Sequence, residues 1–209
     1  MRNWATRAVG ELAHRRDEIN ALNVFPVPDS DTGSNMAHTM EAAVAELDNG
    51  GDVADSLALG AVRGARGNSG MVLSQVLRGV AESTVDSVID GDVFVRSLKQ
   101  AVELVDRAIA EPVEGTVITV LKAASESAED AAAQSGATLH SIVSAAIAAA
   151  ETALERTPSQ LPALREAGVV DAGGAGLVIL LESLLAEIEG STGHTGLPEA
   201  EPTLSLIHI

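Results

Sequence analysis

The chain is predicted to be all-α, a bundle of helices, and three observations lead there. Alanine is abundant and is accompanied by Leu and Glu, residues that lose little on entering a helix. Apolar residues recur at three- and four-residue spacing between Gly- and Asn-rich punctuation over most of the length. Strand signals are sparse: the β-branched run Thr116-Val117-Ile118-Thr119-Val120-Leu121 passes directly into an Ala/Glu-rich helical pattern and is read as helix. Only three residues are aromatic (Trp4, Phe25 and Phe94), so the core must be built from Ala, Val, Leu and Ile. At 209 residues the chain can bury a sizeable core as one domain.

Eight helices are expected. The first covers about 3–20, with Trp4, Ala8, Leu12 and Ile19 on its buried side, and a loop follows at 21–33. The second, about 35–48, sets Met36, Met40, Val44 and Leu47 on one face. Asn49-Gly50-Gly51 ends it, and Asp52 caps a third helix through about 63. The segment Gly64 to Gly70 breaks the pattern before a fourth helix, 71–82, carrying Val72, Leu73, Val76, Leu77 and Val80. The fifth is 92–110, the sixth 116–134, the seventh 138–155 and the eighth about 173–189. Residues 1–190 thus read as the domain and 191–203, rich in Gly, Pro, Thr and Glu, as a linker. The last six residues, 204–209, look like translated sequencing-adapter DNA; the tail is expected to be non-native and the gene to continue past about Thr203.

Composition narrows the function classes. A net charge of −17 leaves no basic patch to neutralise nucleic-acid phosphates, so a nucleic-acid partner is not expected. A nucleotide remains compatible, because metal ions can supply the positive charge. With no cysteine there is no disulfide and no thiolate metal site. The N-terminus, with Arg2, Arg7, Glu11, Arg15 and Arg16, lacks the apolar core of a signal peptide. The most apolar run, Ala175 to Leu181, stops at Glu182 and is too short to span a bilayer. The expectation is a soluble, cytoplasmic protein without a membrane span.

The most informative segment is Leu22-Asn23-Val24-Phe25-Pro26-Val27-Pro28-Asp29-Ser30-Asp31-Thr32-Gly33-Ser34-Asn35-Met36. Asp29 and Asp31 stand one residue apart in a Pro-stiffened loop that leads into a helix. Carboxylates suit a hard Mg²⁺ ion, which also takes waters and substrate phosphate oxygens. The helix beyond offers free N–H groups and a positive dipole end to those phosphates. An ordinary solvated turn is the alternative. An EF-hand fits poorly, because the twelfth residue from Asp29 is Met40 where a Glu should close the loop.

Three more segments place small residues at helix starts: Gly67-Asn68-Ser69-Gly70, Glu114-Gly115-Thr116 and Asp171-Ala172-Gly173-Gly174-Ala175-Gly176. Small residues let backbone N–H groups approach an anion. Any one of them alone is more simply a cap or a close helix crossing, and capping is the competing reading for Thr116 and Asp171. An antiparallel bundle, however, brings alternate helix starts to one end. No Gly-Lys-Ser/Thr phosphate loop and no strand-borne Gly-x-Gly-x-x-Gly is present.

Taken in order, these four motifs resemble the nucleotide-binding DhaL domain of dihydroxyacetone kinases. The resemblance covers about residues 1–190 and is nearest to the relative at the N-terminus of FakA, the ATP-binding subunit of bacterial fatty acid kinase. It implies a barrel of eight antiparallel helices with ATP/ADP and two Mg²⁺ ions at one end. By resemblance Asp29 and Asp31 are the catalytic metal-holding pair, and Asn23 stands where DhaL subunits have a third Asp. Thr32, Asn35 and Met36 would lie beside the nucleotide. Gly67, Asn68, Ser69 and Gly70 would cradle phosphates, and Gly115, Thr116, Asp171, Gly173 and Gly174 would line the adenosine side. Ser30 replaces a common glycine; if positive φ is needed there, Ser costs about 1 kcal/mol.

None of His14, His38, His140 and His194 falls in a motif, which suits phosphoryl transfer by positioning and metal electrostatics. The function implied is transfer of the ATP γ-phosphoryl to the carboxylate of a fatty acid on a separate FakB-type carrier, in a chain that self-associates through downstream domains. The alternatives are a DhaL subunit acting on dihydroxyacetone and a nucleotide-binding interaction domain without transfer activity.

Overall fold

A computed structural model describes residues 1–84 and 88–190; the linker and tail expected at 191–209, and His194 with them, lie outside the described residues. Among the described residues there are ten α-helices: α1 (Arg2–His14), α2 (Arg16–Leu22), α3 (Thr32–Glu46), α4 (Val53–Gly64), α5 (Gly67–Ser83), α6 (Gly91–Ala108), α7 (Val117–Ala132), α8 (Leu139–Gln160), α9 (Pro162–Ala167) and α10 (Ala172–Glu189). A 3₁₀ turn, Leu47–Asn49, extends α3. The all-α expectation holds, and each of the eight anticipated helices is present.

The differences in detail have local causes. The first helix is broken at Arg15, which carries φ −97 and ψ 10. The buried Arg15 guanidinium reaches Glu18 on α2 (3.1 Å) and Glu182 on α10 (3.7 Å), and this turns α2 away from the line of α1. α5 starts at Gly67, so the glycine turn expected before the helix is its first turn. α8 runs through Pro158 to Gln160. A proline there leaves the Leu154 carbonyl without its N–H donor; the Thr157 hydroxyl supplies the missing bond at 2.7 Å. The short α9 was not anticipated: Pro162 opens it and Gly168, at φ +67, closes it.

The helices form a closed ring. α1 packs on α3, α3 on α4, and so on through α5, α6, α7 and α8, and α10 completes the circuit against α8 and α1. Short connections make sequential neighbours antiparallel. Two ion pairs show this for α6 and α7, Lys99 with Glu129 and Lys122 with Asp106. His140 at the start of α8 likewise meets Glu189 at the end of α10 (2.7 Å).

α10 is apolar around most of its circumference and buried to match, with Ala172, every residue from Gly174 to Leu181, and Ser183 inside. It supplies Ala175, Leu177, Val178 and Leu181 to one core cluster and Ala172, Ile179 and Leu180 to the other. The expected Ala/Val/Leu/Ile core is present, joined by Trp4, whose indole N–H donates to the Leu180 carbonyl (3.1 Å). Among the described residues no helix is long and apolar enough to cross a membrane.

Candidate functional site

Alternation of the ring places the starts of α3, α5, α7 and α10 at one end and those of α4, α6 and α8 at the other. The far end is closed by side chains. Asp52 accepts from Ala54 and Asp55, Asp90 from Val93, and Thr138 forms a capping box with Ser141. At the near end the four starts meet around a cavity of about 360 Å³, within the range of small-molecule sites. Thr32, Asn68, Ser69, Thr116, Asp171 and Gly173 all line it.

The four starts are not equivalent. That of α3 is partly capped: Asn23 Oδ1 accepts from the N–H of Asp31 (3.0 Å) and Thr32 (3.3 Å), and Asn20 Oδ1 from that of Ser34 (3.1 Å). Of the N–H groups expected there for phosphate, those of Thr32 and Ser34 are therefore committed within the protein. Asn23 Nδ2 donates to the carbonyls of Phe25 (3.4 Å) and Val27 (3.2 Å), so the buried amide is engaged on both sides and shapes the loop.

The starts of α7 and α10 are joined by the buried Asp171 carboxylate. It accepts from the N–H of Gly174 (2.7 Å), and the N–H groups of Val117 and Gly173 also favour its charged form. Burial raises its pKa from an ordinary 3.8 to about 6, and those three N–H groups hold the rise in check. Behind it, Thr157 Oγ1 accepts from the Asp171 N–H (3.1 Å), tying in the end of α8.

The first turn of α5 is different. Its N-cap is Arg66, with no side-chain bond to the helix, and among the described residues no acceptor meets the N–H groups of Gly67, Asn68 or Ser69. Gly67 takes φ +60, and a methyl there would come 2.6 Å from the Asn35 amide nitrogen, so only glycine allows this approach. Gly70 packs against the Thr39 hydroxyl and serves helix crossing.

The remaining expected residues stand as follows. Asp29 is exposed and Asp31 half-buried at the N-cap of α3; among the described residues neither carboxylate has a hydrogen bond or ion pair. Ser30 between them takes φ +55, the left-handed conformation anticipated for that position. Met36 is buried against Gly176 and borders a small void of about 10 Å³ shared with Ser69, Val117 and Gly173. Gly115, at φ +79, and Gly174 are buried behind the wall.

The cavity's other wall is apolar, with Phe25, Met71, Val72, Ile109, Val113 and Ile118. The charged residues lining it are Glu111 and Asp171, both acidic. Among the described residues no Lys or Arg lines it, so a bound anion there must be balanced by N–H dipoles and by cations brought from outside.

Residues 26–186 match the DAK2 domain. The chain belongs to the DAK2 domain family. The DhaL resemblance drawn from the four motifs holds. Protein YloV of Bacillus subtilis is 40% identical over 187 residues, 87% of this chain and 34% of that protein. An uncharacterized protein of Staphylococcus saprophyticus is 38% identical over 187 residues, again covering 34% of its length. The DAK2 chain thus spans about a third of these relatives. The crystal structure of the dihydroxyacetone kinase from C. freundii in complex with AMP-PNP and Mg²⁺ shares the fold, with a TM-score of 0.64 and 21% identity over 89% of this chain and 33% of that one.

Three contributors were missed from sequence. Asn20 and Thr157 bond backbone groups 14 residues away, and Arg15 pairs with Glu182 on α10; local pattern carries no signal for such contacts.

Proposed function

We propose that this DAK2 domain binds magnesium–ATP in the cavity at the near end of the ring and serves phosphoryl transfer to a carboxylate acceptor. The observation that carries this is the uncapped first turn of α5 on the cavity, with two unengaged carboxylates, Asp29 and Asp31, in the loop that leads into α3. Among the described residues no group of three or more His, Cys, Asp or Glu could hold a metal by itself. Two carboxylates fit magnesium well, since it keeps waters and takes further oxygens from phosphate. When bound, the metal neutralises charge on the transferring phosphoryl group.

The protein's own residues do the rest. Asp29 and Asp31 hold the metal, and the N–H groups of Gly67, Asn68 and Ser69 donate to phosphate oxygens. Thr32, Thr116 and Gly173 face the nucleotide; Asn35, Met36, Gly70, Gly115 and Gly174 shape the wall from behind. The apolar face from Phe25 to Ile118 takes the base and excludes water.

The acceptor proposed is the carboxylate of a fatty acid held by a separate carrier of the FakB type. In the transfer, the bond from the γ-phosphorus to the bridging oxygen of ADP breaks as a carboxylate oxygen bonds to phosphorus, giving ADP and an acyl phosphate. A carboxylate is already ionised at neutral pH and needs no base. The acids in the cavity support this choice: Asp171 is occupied as the cap of α10, accepting from the Gly174 N–H, and Glu111 lies exposed at the rim. A hydroxyl acceptor such as dihydroxyacetone would require a proton to be removed.

The test is to incubate the protein with magnesium–ATP and oleate, with and without a loaded carrier, and trap acyl phosphate with hydroxylamine. Product only with the carrier is expected, because positioning supplies much of the rate. Product without any carrier would contradict the two-protein scheme. ATP consumption with dihydroxyacetone but with no fatty acid would replace the acceptor.

A further inference from the structure

Asp31 is the N-cap residue of α3, and an N-cap Asp ordinarily turns its carboxylate back to accept from the N–H of the second or third helical residue. Here it does not: Asp31 makes no side-chain bond to its helix. The N–H it would take at the third position belongs to Ser34, and Asn20 Oδ1 holds that N–H at 3.1 Å. Asn20 Nδ2 donates in turn to Ser34 Oγ at 3.0 Å, so the amide is locked in orientation.

The fit is close. Gly33 lies against α2 so tightly that a methyl there would strike the Arg16 carbonyl oxygen and stand 3.0 Å from Asn20 Oδ1. Asn23 meanwhile takes the N–H groups of Asp31 and Thr32. The third-position N–H is thus taken by Asn20, and the Asp31 carboxylate makes no bond to its helix.

We propose that Asn20 is a positioning residue which, by capping α3 in place of Asp31, releases the Asp31 carboxylate for a divalent cation. The inference rests on the reading of Asp29 and Asp31 as metal ligands and adds the device that keeps one of them available. Without Asn20, the Asp31 carboxylate swings onto the Ser34 N–H, and a metal must then compete with a helix cap.

This gives a signature that a merely structural asparagine would not produce: binding is lost while stability is largely kept. Titration of the protein with magnesium–AMP-PNP in a calorimeter reads the first part. Asn20→Ala is expected to bind at least tenfold more weakly than the parent, with a melting temperature within about 3 °C of it. Asn20→Asp keeps an acceptor for the Ser34 N–H and is expected to bind within about threefold of the parent.

A stability cycle without nucleotide reads the second part. Asp31→Ala should leave the melting temperature of the parent unchanged but lower that of Asn20→Ala by several degrees, because only there has Asp31 become the cap. Additive shifts, equal binding by Asn20→Ala, or a loss in Asn20→Asp as large as in Asn20→Ala would each overturn the inference. So would failure of Asn20→Ala to fold, since Asp31 would then not have taken over the cap. If the parent itself bound no magnesium–AMP-PNP, the reading of the site would fall, a result distinct from any of these.

Discussion

Ser30 sits at φ +55 between the two carboxylates, in a conformation that costs an L-residue about 1–2 kcal/mol. Ser30→Gly relieves that strain but loosens the unfolded chain by about 0.5–1 kcal/mol. The net gain expected is about 0.5 kcal/mol, read as a rise of about 1–2 °C in melting temperature. Asp171 makes a larger prediction. Its folded pKa of about 6 lies above the ordinary 3.8, so folding favours its protonated form. The stability it contributes is full below about pH 4 and is lost as pH rises through about 6, a change of about 3 kcal/mol. Denaturant unfolding of parent and Asp171→Asn at pH 4 and pH 7.5 checks this. The parent should lose about 2 kcal/mol more than the variant over that interval, and parallel losses would contradict the assignment.

The helices divide into those readable from their own residues and those set by a neighbour. Asp52, Asp90, Thr138 and Asp171 cap as side chains of their type do, and Asp52 and Asp171 mark their helix starts in the sequence. The break between α1 and α2 is not readable, because the cause is a tertiary ion pair from a residue that looks like an exposed helical arginine. Arg15 is 6% exposed and Glu182 14%. Arg15→Ala would remove the buried guanidinium with its pairs to Glu18 and Glu182 and release the start of α2, for a loss of about 3 kcal/mol in urea unfolding. A loss below about 1 kcal/mol would mean that α2 is held by Asn20 and the Gly33 contact alone.

For the whole molecule, the up-and-down course of the ring explains why the motifs, separated by up to 140 residues in sequence, share one end. That convergence was foreseeable once the helices alternated. What was not foreseeable is the division of labour: Asn20 and Asn23 take N–H groups at the α3 start and Asp171 caps α10, while among the described residues no side chain caps α5. Hydrogen bonds between elements distant in sequence decide this, and a one-dimensional pattern does not hold them. On the proposed reading, a −17 chain with no basic residue among those described as lining its cavity binds a nucleotide through metal held by Asp29 and Asp31. Calorimetric titration with ATP, in excess magnesium and again with EDTA, tests it on the parent, Asp29→Ala and Asp31→Ala. Binding by the parent in magnesium alone, with both variants silent yet unchanged in helical circular dichroism, is the predicted result. ATP binding in EDTA, or by either variant as tightly as the parent, would contradict it.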